Sequence, residues 1–206
     1  MDELGKRLAE GMTALEIPFT PEQGKKLLAF LRLVQKWNRL YNLTAIRDPR
    51  TAVDLHLLDS LTVWPYLHGE RILDVGTGAG LPGIPLAIMS GDRSFILLDC
   101  NAKKTRFVQQ AIIELGLSNA KVVTSRVEEY HPERGFDTIL ARAYANLAEI
   151  FAGTRRMLAP GGMILAQKGQ LPENEIRSLK DCVVDTHILN IPGLDVERHL
   201  IEIAVG

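Results

Sequence analysis

Three stretches of the sequence set side chains at spacings that could support chemistry. His56-Leu-Leu-Asp59-Ser60 brings an imidazole, a carboxylate and a hydroxyl to positions i, i+3 and i+4, which are neighbours on a helix. The trio invites a hydrolase reading, but no strand leads into a sharp turn at Ser60, so a His56–Asp59 hydrogen bond within the helix is the plainer expectation. The second stretch is Asp74-Val-Gly76-Thr-Gly78-Ala-Gly80-Leu-Pro82-Gly83. Its glycines remove β-carbons where a chain bends sharply and comes close to a ligand, and Pro82 and Pro85 suit the first turn of a helix. Asp99 lies 19 residues beyond Gly80 and ends an aliphatic run, placed to accept both ribose hydroxyls of an adenosine ligand. Gly78-x-Gly80-x-x-Gly83 also fits the dinucleotide fingerprint, so the glycines alone do not choose the ligand. Asp74 does discriminate: a carboxylate there repels a pyrophosphate and suits a cationic amino-acid end. The third stretch is Ala141-Arg142-Ala143, an arginine between alanines where another aliphatic run ends.

These residues need a frame. Residues 1 to 16 read as a short amphipathic helix, and Thr20-Pro21-Glu22-Gln23 is a capping box that opens a second. Asp48-Pro49 opens a third helix, running to about Trp64. The pattern then changes. "RILDVG" (71–76), "SFILLD" (94–99), "AKVVTS" (120–125) and "FDTILA" (136–141) are short and aliphatic, as buried parallel strands are, with helical patterns such as 103–117 between them. "MLAPGGMILAQKG" (157–169) reads as a helix end, a Pro-Gly-Gly turn and a fifth strand. "CVVDTHILNI" and "HLIEIAV" are joined by a link too short for a helical crossover, so they form an antiparallel hairpin at the sheet edge. The expected fold is α/β, a doubly wound sheet with a helical extension at residues 1–65 packed on a 70–206 core as one domain.

Composition bounds the rest. With 46% hydrophobic and 24% charged residues, the chain reads as an ordinary globular protein, and its amino terminus lacks a signal peptide's apolar core, so the cytoplasm is the expected compartment. Cys100 and Cys182 are too few for a disulfide framework or a metal site, so no metal is expected. The net charge of −1 excludes a purely electrostatic nucleic-acid binder, yet residues 20–50 hold seven basic side chains against two acidic ones. Lys25, Lys36 and Arg39 belong to that cluster, and Lys103 to a second with Lys104 and Arg106.

Asp-x-Gly-x-Gly-x-Gly resembles motif I of the class I S-adenosylmethionine methyltransferases. Taken in order, "KWNRLYNLTAIRDP" (36–49), "HLLDSL" (56–61), "DVGTGAGLPGIPLAI", "LLDCNAKKTRFVQQ", "SRVEEY" and "ARA" (141–143) resemble the RsmG/GidB family, from about residue 25 to "ERHLIEIAV". Cys100 departs from the more usual serine of that family. The resemblance implies a bacterial enzyme that methylates N7 of a guanosine in 16S ribosomal RNA, on a mostly parallel seven-stranded, Rossmann-like sheet. It implies S-adenosylmethionine as cofactor, held by Gly76, Leu81, Val127, Glu128 and Arg142. It also puts His56, Asp59 and Asn42 at the active-site entrance. The residues themselves agree for Val127 and Glu128: after the third strand a backbone N–H can meet adenine N1 and a carboxylate its exocyclic amine.

Lys103, Arg126, Lys168 and Arg198 fall near carboxyl ends of strands or in the hairpin, the expected RNA-facing side, with a small-subunit rRNA or an assembly containing it as partner. "ARAYAN" is not the Asn/Asp-Pro-Pro-aromatic run of exocyclic-amine methylases, and no Pro-Cys supports a covalent C5 route. Guanine N7 has a free in-plane lone pair, so no general base is expected. Asp59 is then expected to steady the charge that develops on the purine, with His56 orienting Asp59. A methyltransferase for another RNA, a protein or a small molecule is the alternative; a nicotinamide dehydrogenase is disfavoured by Asp74.

Overall fold

The structure, a computed structural model, describes residues 2–205. Helix α1 (Glu3–Ala14) is capped by the Asp2 carboxylate, which accepts the Gly5 N–H at 2.9 Å. Helix α2 (Pro21–Tyr41) starts with a reciprocal capping box: Thr20 Oγ1 accepts the Gln23 N–H at 3.2 Å, and Gln23 Oε1 accepts the Thr20 N–H at 2.8 Å. The third helix differs from expectation. It opens as α3 (Pro49–Ala52), widens to a π-helix over Val53–Leu58, and closes as α4 (Asp59–Leu61). Inside the π stretch Asp54 is buried and accepts from Arg7 Nε of α1 at 2.7 Å, so this wider turn is also where the first and third helices are joined.

The α/β part follows as β1 (Arg71–Val75), α5 (Gly83–Met89), β2 (Ser94–Asp99), α6 (Ala102–Leu115), β3 (Ala120–Thr124), β4 (Phe136–Arg142), α7 (Leu147–Thr154), β5 (Leu158–Lys168), α8 (Glu173–Ser178), β6 (Cys182–Ile188) and β7 (His199–Val205). The seven strands lie in the order β3-β2-β1-β4-β5-β7-β6. The first five are parallel, and β7 runs antiparallel to both β5 and β6. The hairpin therefore sits at the edge, but inverted, with its second strand inside. The Pro-Gly-Gly turn is a bulge within β5: Phe136 faces Leu158 while Thr138 faces Met163, so the intervening residues loop out of the ladder.

Strand alternation divides the core between the two faces of the sheet. Ile72, Leu140, Leu165 and Leu200 point to one face with α1, α2, α5 and α6; Leu73, Ile139, Ala141, Ile164 and Ile201 point to the other with α7. The amino-terminal helices share the first cluster with the strands, through buried residues such as Met12, Phe30, Leu57 and Phe107. This packing brings the π stretch and Ile46 of the 42–48 loop to the carboxyl ends of β4 and β5. Ligands bind such sheets there, at the switch point between β1 and β4.

Candidate active site

The glycine turn between β1 and α5 is closed by its own backbone. Gly76 and Thr77 N–H groups reach Leu98 O at 2.8 and 3.1 Å, and Gly80 N–H reaches Thr77 O at 2.9 Å. Gly76 and Gly78 have φ of +67° and +57°, a conformation that costs any side-chain-bearing residue strain. Asp99 holds the far side of the turn: Oδ2 accepts the Gly78 N–H at 2.9 Å and Oδ1 the Asn101 N–H at 2.8 Å. Asp74 is fully buried, and its Oδ2 accepts from Thr77 Oγ1 at 2.6 Å and from the Gly83 N–H at 2.9 Å. Its Oδ1 is buried with no partner, and burial pushes the carboxyl up to about 7 against those two donors. Asp74 thus ties the turn to the start of α5.

A cleft of about 280 Å³ opens over the ends of β1, β2 and β3. Gly76, Asp99, Arg126, Val127 and Glu128 line it, joined by Lys104 and Tyr144, which sequence reasoning did not single out for it. Tyr144 stands over Gly76 so closely that a β-carbon there would lie 2.5 Å from its Cδ2. The aromatic beside Arg142 in "ARAYAN" was the available signal. Arg156 was missed as well. Its Nη2 donates to Val127 O at 2.7 Å and Tyr130 O at 2.8 Å, which fixes the turn carrying Val127 and Glu128. Gly78, Gly80, Leu81 and Asp74 lie behind the lining rather than in it.

Arg142 lies in a second cleft, next to the first. Ile46, Leu55, Asp59, Gln167, Lys168 and Arg198 line it with Arg142, and Ala143 lines both clefts. Asp59 is the hub: Oδ2 meets Arg142 Nη1 at 3.2 Å and Oδ1 meets Arg198 Nε at 3.3 Å. Burial raises its pKa while the two guanidiniums pull it back. Gln167 Nε2 donates to Asp59 O at 3.1 Å, and Arg142 Nη1 donates to Ser60 Oγ at 3.3 Å.

The expected His56–Asp59 hydrogen bond does not form. In a π-helix residues three apart no longer stack, and Asp59 turns to the arginines while both His56 ring nitrogens stay buried and unpartnered. Burial, helped by the Arg142 charge, lowers the His56 pKa to about 4, so the ring is neutral near pH 7. His56 therefore does not orient Asp59; Arg142 and Arg198 do.

The cationic residues expected to face RNA divide. Lys103 and Arg126 are exposed, Arg126 at the mouth of the first cleft. Asn42 is exposed at the end of α2. Lys168 bonds Glu175 and Ala145 O, both at 2.9 Å, and Arg198 bonds Asp59, so each has an internal partner.

The donors at the start of α5 discriminate between adenosine ligands. Pro82 and Pro85 carry no N–H, Gly83 N–H goes to Asp74, and Ile84 N–H goes to Gly80 O at 2.8 Å. A pyrophosphate would find no free donor there. Asp99 at the end of β2 and Glu128 after β3 leave acceptors for ribose hydroxyls and an exocyclic amine. The residues present therefore fit S-adenosylmethionine and not a dinucleotide.

The fold is that of the class I S-adenosylmethionine methyltransferases. A SAM-dependent methyltransferase from Aquifex aeolicus superposes with a TM-score of 0.62 at 18% identity, covering 80% of this chain and 98% of that one. The N-methyltransferase NodS from Bradyrhizobium japonicum, in complex with S-adenosyl-L-homocysteine, superposes with a TM-score of 0.58 at 13% identity, covering 83% and 98%. Residues 23–201 match the model of the GidB family, rRNA small subunit methyltransferase G, and the chain belongs to that family. Ribosomal RNA small subunit methyltransferase G of Methylococcus capsulatus is 54% identical over 95% of this chain and 96% of its own length. Its counterpart in Laribacter hongkongensis is 47% identical over 98% and 99%.

Proposed function

We propose that the protein transfers the methyl group of S-adenosylmethionine to N7 of one guanosine in 16S ribosomal RNA. The observation that carries this reading is the pair of clefts meeting at Ala143, one fitting the cofactor and the other offering a base no free proton acceptor. Asp59 has both oxygens on guanidiniums, and His56 is buried and neutral. A nucleophile that must lose a proton would be poorly served there, whereas guanine N7 attacks with a lone pair it already holds. The family membership and the names of the relatives support rRNA as the substrate.

The bound cofactor supplies a methyl group activated on a sulfonium. Asp99 receives the ribose hydroxyls, and the Val127–Glu128 turn, pinned by Arg156, receives the adenine. Gly76 and Tyr144 flank the opening toward the second cleft, where Arg142 and the Asp59 hub hold the base in line. The two arginines keep the Asp59 carboxylate fixed at this cleft. Such a reaction takes place in the cytoplasm, on the rRNA or on a small-subunit assembly containing it. No helix among the described residues is long and apolar enough to cross a membrane.

The test is genetic. Small-subunit rRNA from a strain lacking the gene should lose one 7-methylguanosine, and a plasmid copy should restore it while an Asp59→Ala copy should not. Full methylation in the deletion strain would refute the assignment.

A further inference from the structure

A third cleft adjoins the second. Ile46 lines both, just as Ala143 lines the first and second, so the three form a row across the carboxyl ends of the strands and onto the helical extension. The third cleft has a volume of about 260 Å³ and is lined by Gln35, Asn38, Arg39, Ile46, Arg47 and Pro49. Its walls are fixed. Helix α2 ends at Asn42 in the left-handed region, φ 48°, and the Asn38 amide clamps the returning loop by bonds of 2.9 Å to Thr44 O and 2.9 Å from the Thr44 N–H.

The charged side chains lining the space are both cationic. Arg39 and Arg47 are exposed, and neither takes part in a salt bridge or side-chain hydrogen bond among the described residues. Gln35 Nε2 is buried without a partner. The neighbouring carboxylate, Asp48, is already engaged by the Thr51 N–H and hydroxyl, both at 2.7 Å, which hold it below its usual pKa. Two guanidiniums with no carboxylate among the lining residues match an anion. A phosphodiester is such an anion, and arginine forks suit its geometry.

We propose that this cleft grips a backbone phosphate of the RNA strand next to the target guanosine, so that the strand runs from Arg39 and Arg47 past Ile46 into the base cleft. The inference rests on the rRNA reading above, and it makes Gln35, Arg39 and Arg47 a phosphate subsite separate from the machinery around Asp59.

The test is binding of a single-stranded small-subunit rRNA fragment, followed by fluorescence anisotropy over a salt series. The Arg39→Gln/Arg47→Gln double variant should bind about tenfold more weakly, and the log–log salt slope should become shallower by roughly 0.7 for the one phosphate no longer gripped. Gln35→Leu should weaken binding by about threefold, and calorimetry should show S-adenosylmethionine affinity unchanged in each variant, which also certifies folding. Unchanged RNA affinity and slope in a variant that still binds the cofactor overturns the subsite. Titration with inorganic phosphate separates the sources: phosphate binding abolished in the double variant while RNA affinity stays intact would make this a small-anion site and overturn the proposal. Wild-type protein that binds RNA through these arginines yet puts no methyl on guanine N7 would refute the proposed reaction alone.

Discussion

Among single residues Asp59 is the pivot, its two oxygens divided between Arg142 and Arg198 at 3.2 and 3.3 Å. Asp59→Asn would loosen both guanidiniums at once. Methyl transfer should fall at least tenfold while S-adenosylmethionine affinity, measured by calorimetry, stays within about twofold; equal losses in both would make Asp59 a cofactor residue. His56, at about 4, does not titrate between pH 6.5 and 9. Guanine N7 needs no base, so single-turnover rates at saturating RNA and cofactor should show no tenfold-per-unit climb over that range, and His56→Ala should slow them without adding a pH break. A rate climbing tenfold per pH unit would demand a base and reopen the choice of methylated atom. Asp74 carries a linkage prediction of opposite kind. Its folded pKa of about 7 lies above the carboxylate's ordinary value, so the stability it lends is complete at low pH and is lost as pH rises through 7. The melting temperature of Asp74→Asn relative to wild type should thus rise between pH 5 and pH 8; a constant difference would contradict a raised Asp74 pKa. The sequence singled out Asp74 and Arg142 because a carboxylate before a glycine turn and an arginine ending a strand are local patterns, and Asp59 through the family resemblance. It could not disclose their partners. Arg142 and Arg198 are 56 residues apart and meet Asp59 only after folding.

Elements were legible where one local force dominates. The α2 capping box needs only Thr20 and Gln23, and Thr20→Ala should cost about 1 kcal/mol in chemical denaturation, from removal of the Gln23 N–H bond. The glycine turn is equally local. Gly78 holds φ +57° and its N–H is anchored on Asp99, so Gly78→Val should displace the turn and weaken S-adenosylmethionine binding at least tenfold while the circular dichroism spectrum persists. Unaltered cofactor affinity would mean the turn does not shape the cleft. Elements were misread where two forces compete. Residues 49–64 have helical periodicity, but Asp54 must reach Arg7 of α1 while Asp59 reaches two arginines, and a π turn reconciles these directions. The tail forms the edge hairpin its sequence implies, and its order against β5, which the pattern left open, follows from which strand is more apolar. "HLIEIAV" is buried along most of β7 and lies inside, while "CVVDTHI" is half exposed as β6 and takes the edge.

Across the whole molecule, a net charge of −1 conceals an uneven arrangement: Asp99 and Glu128 beside Lys104 and Arg126 at the first cleft, arginines paired through Asp59 at the second, and Arg39 and Arg47, unpaired among the described residues, on the helical extension. Counting charges along the chain marked the cationic residues but did not tell the paired from the unpaired. Lys168 and Arg198 have internal partners, whereas Arg47, which the count included without distinction, has none among the described residues. Lys103→Gln should accordingly weaken RNA binding modestly, with a shallower salt slope, and leave cofactor affinity intact; an unchanged slope would remove the exposed start of α6 from the RNA surface. Methyl transfer from S-adenosylmethionine to guanine N7 of small-subunit rRNA is decided by identifying the product. Purified protein, S-adenosylmethionine labelled in its methyl group and small-subunit rRNA from the deletion strain should be incubated together, and the RNA digested to nucleosides for mass spectrometry. Label should appear in 7-methylguanosine alone, approaching one per rRNA molecule; label in any other nucleoside, or none in RNA while the cofactor binds, would contradict the assignment.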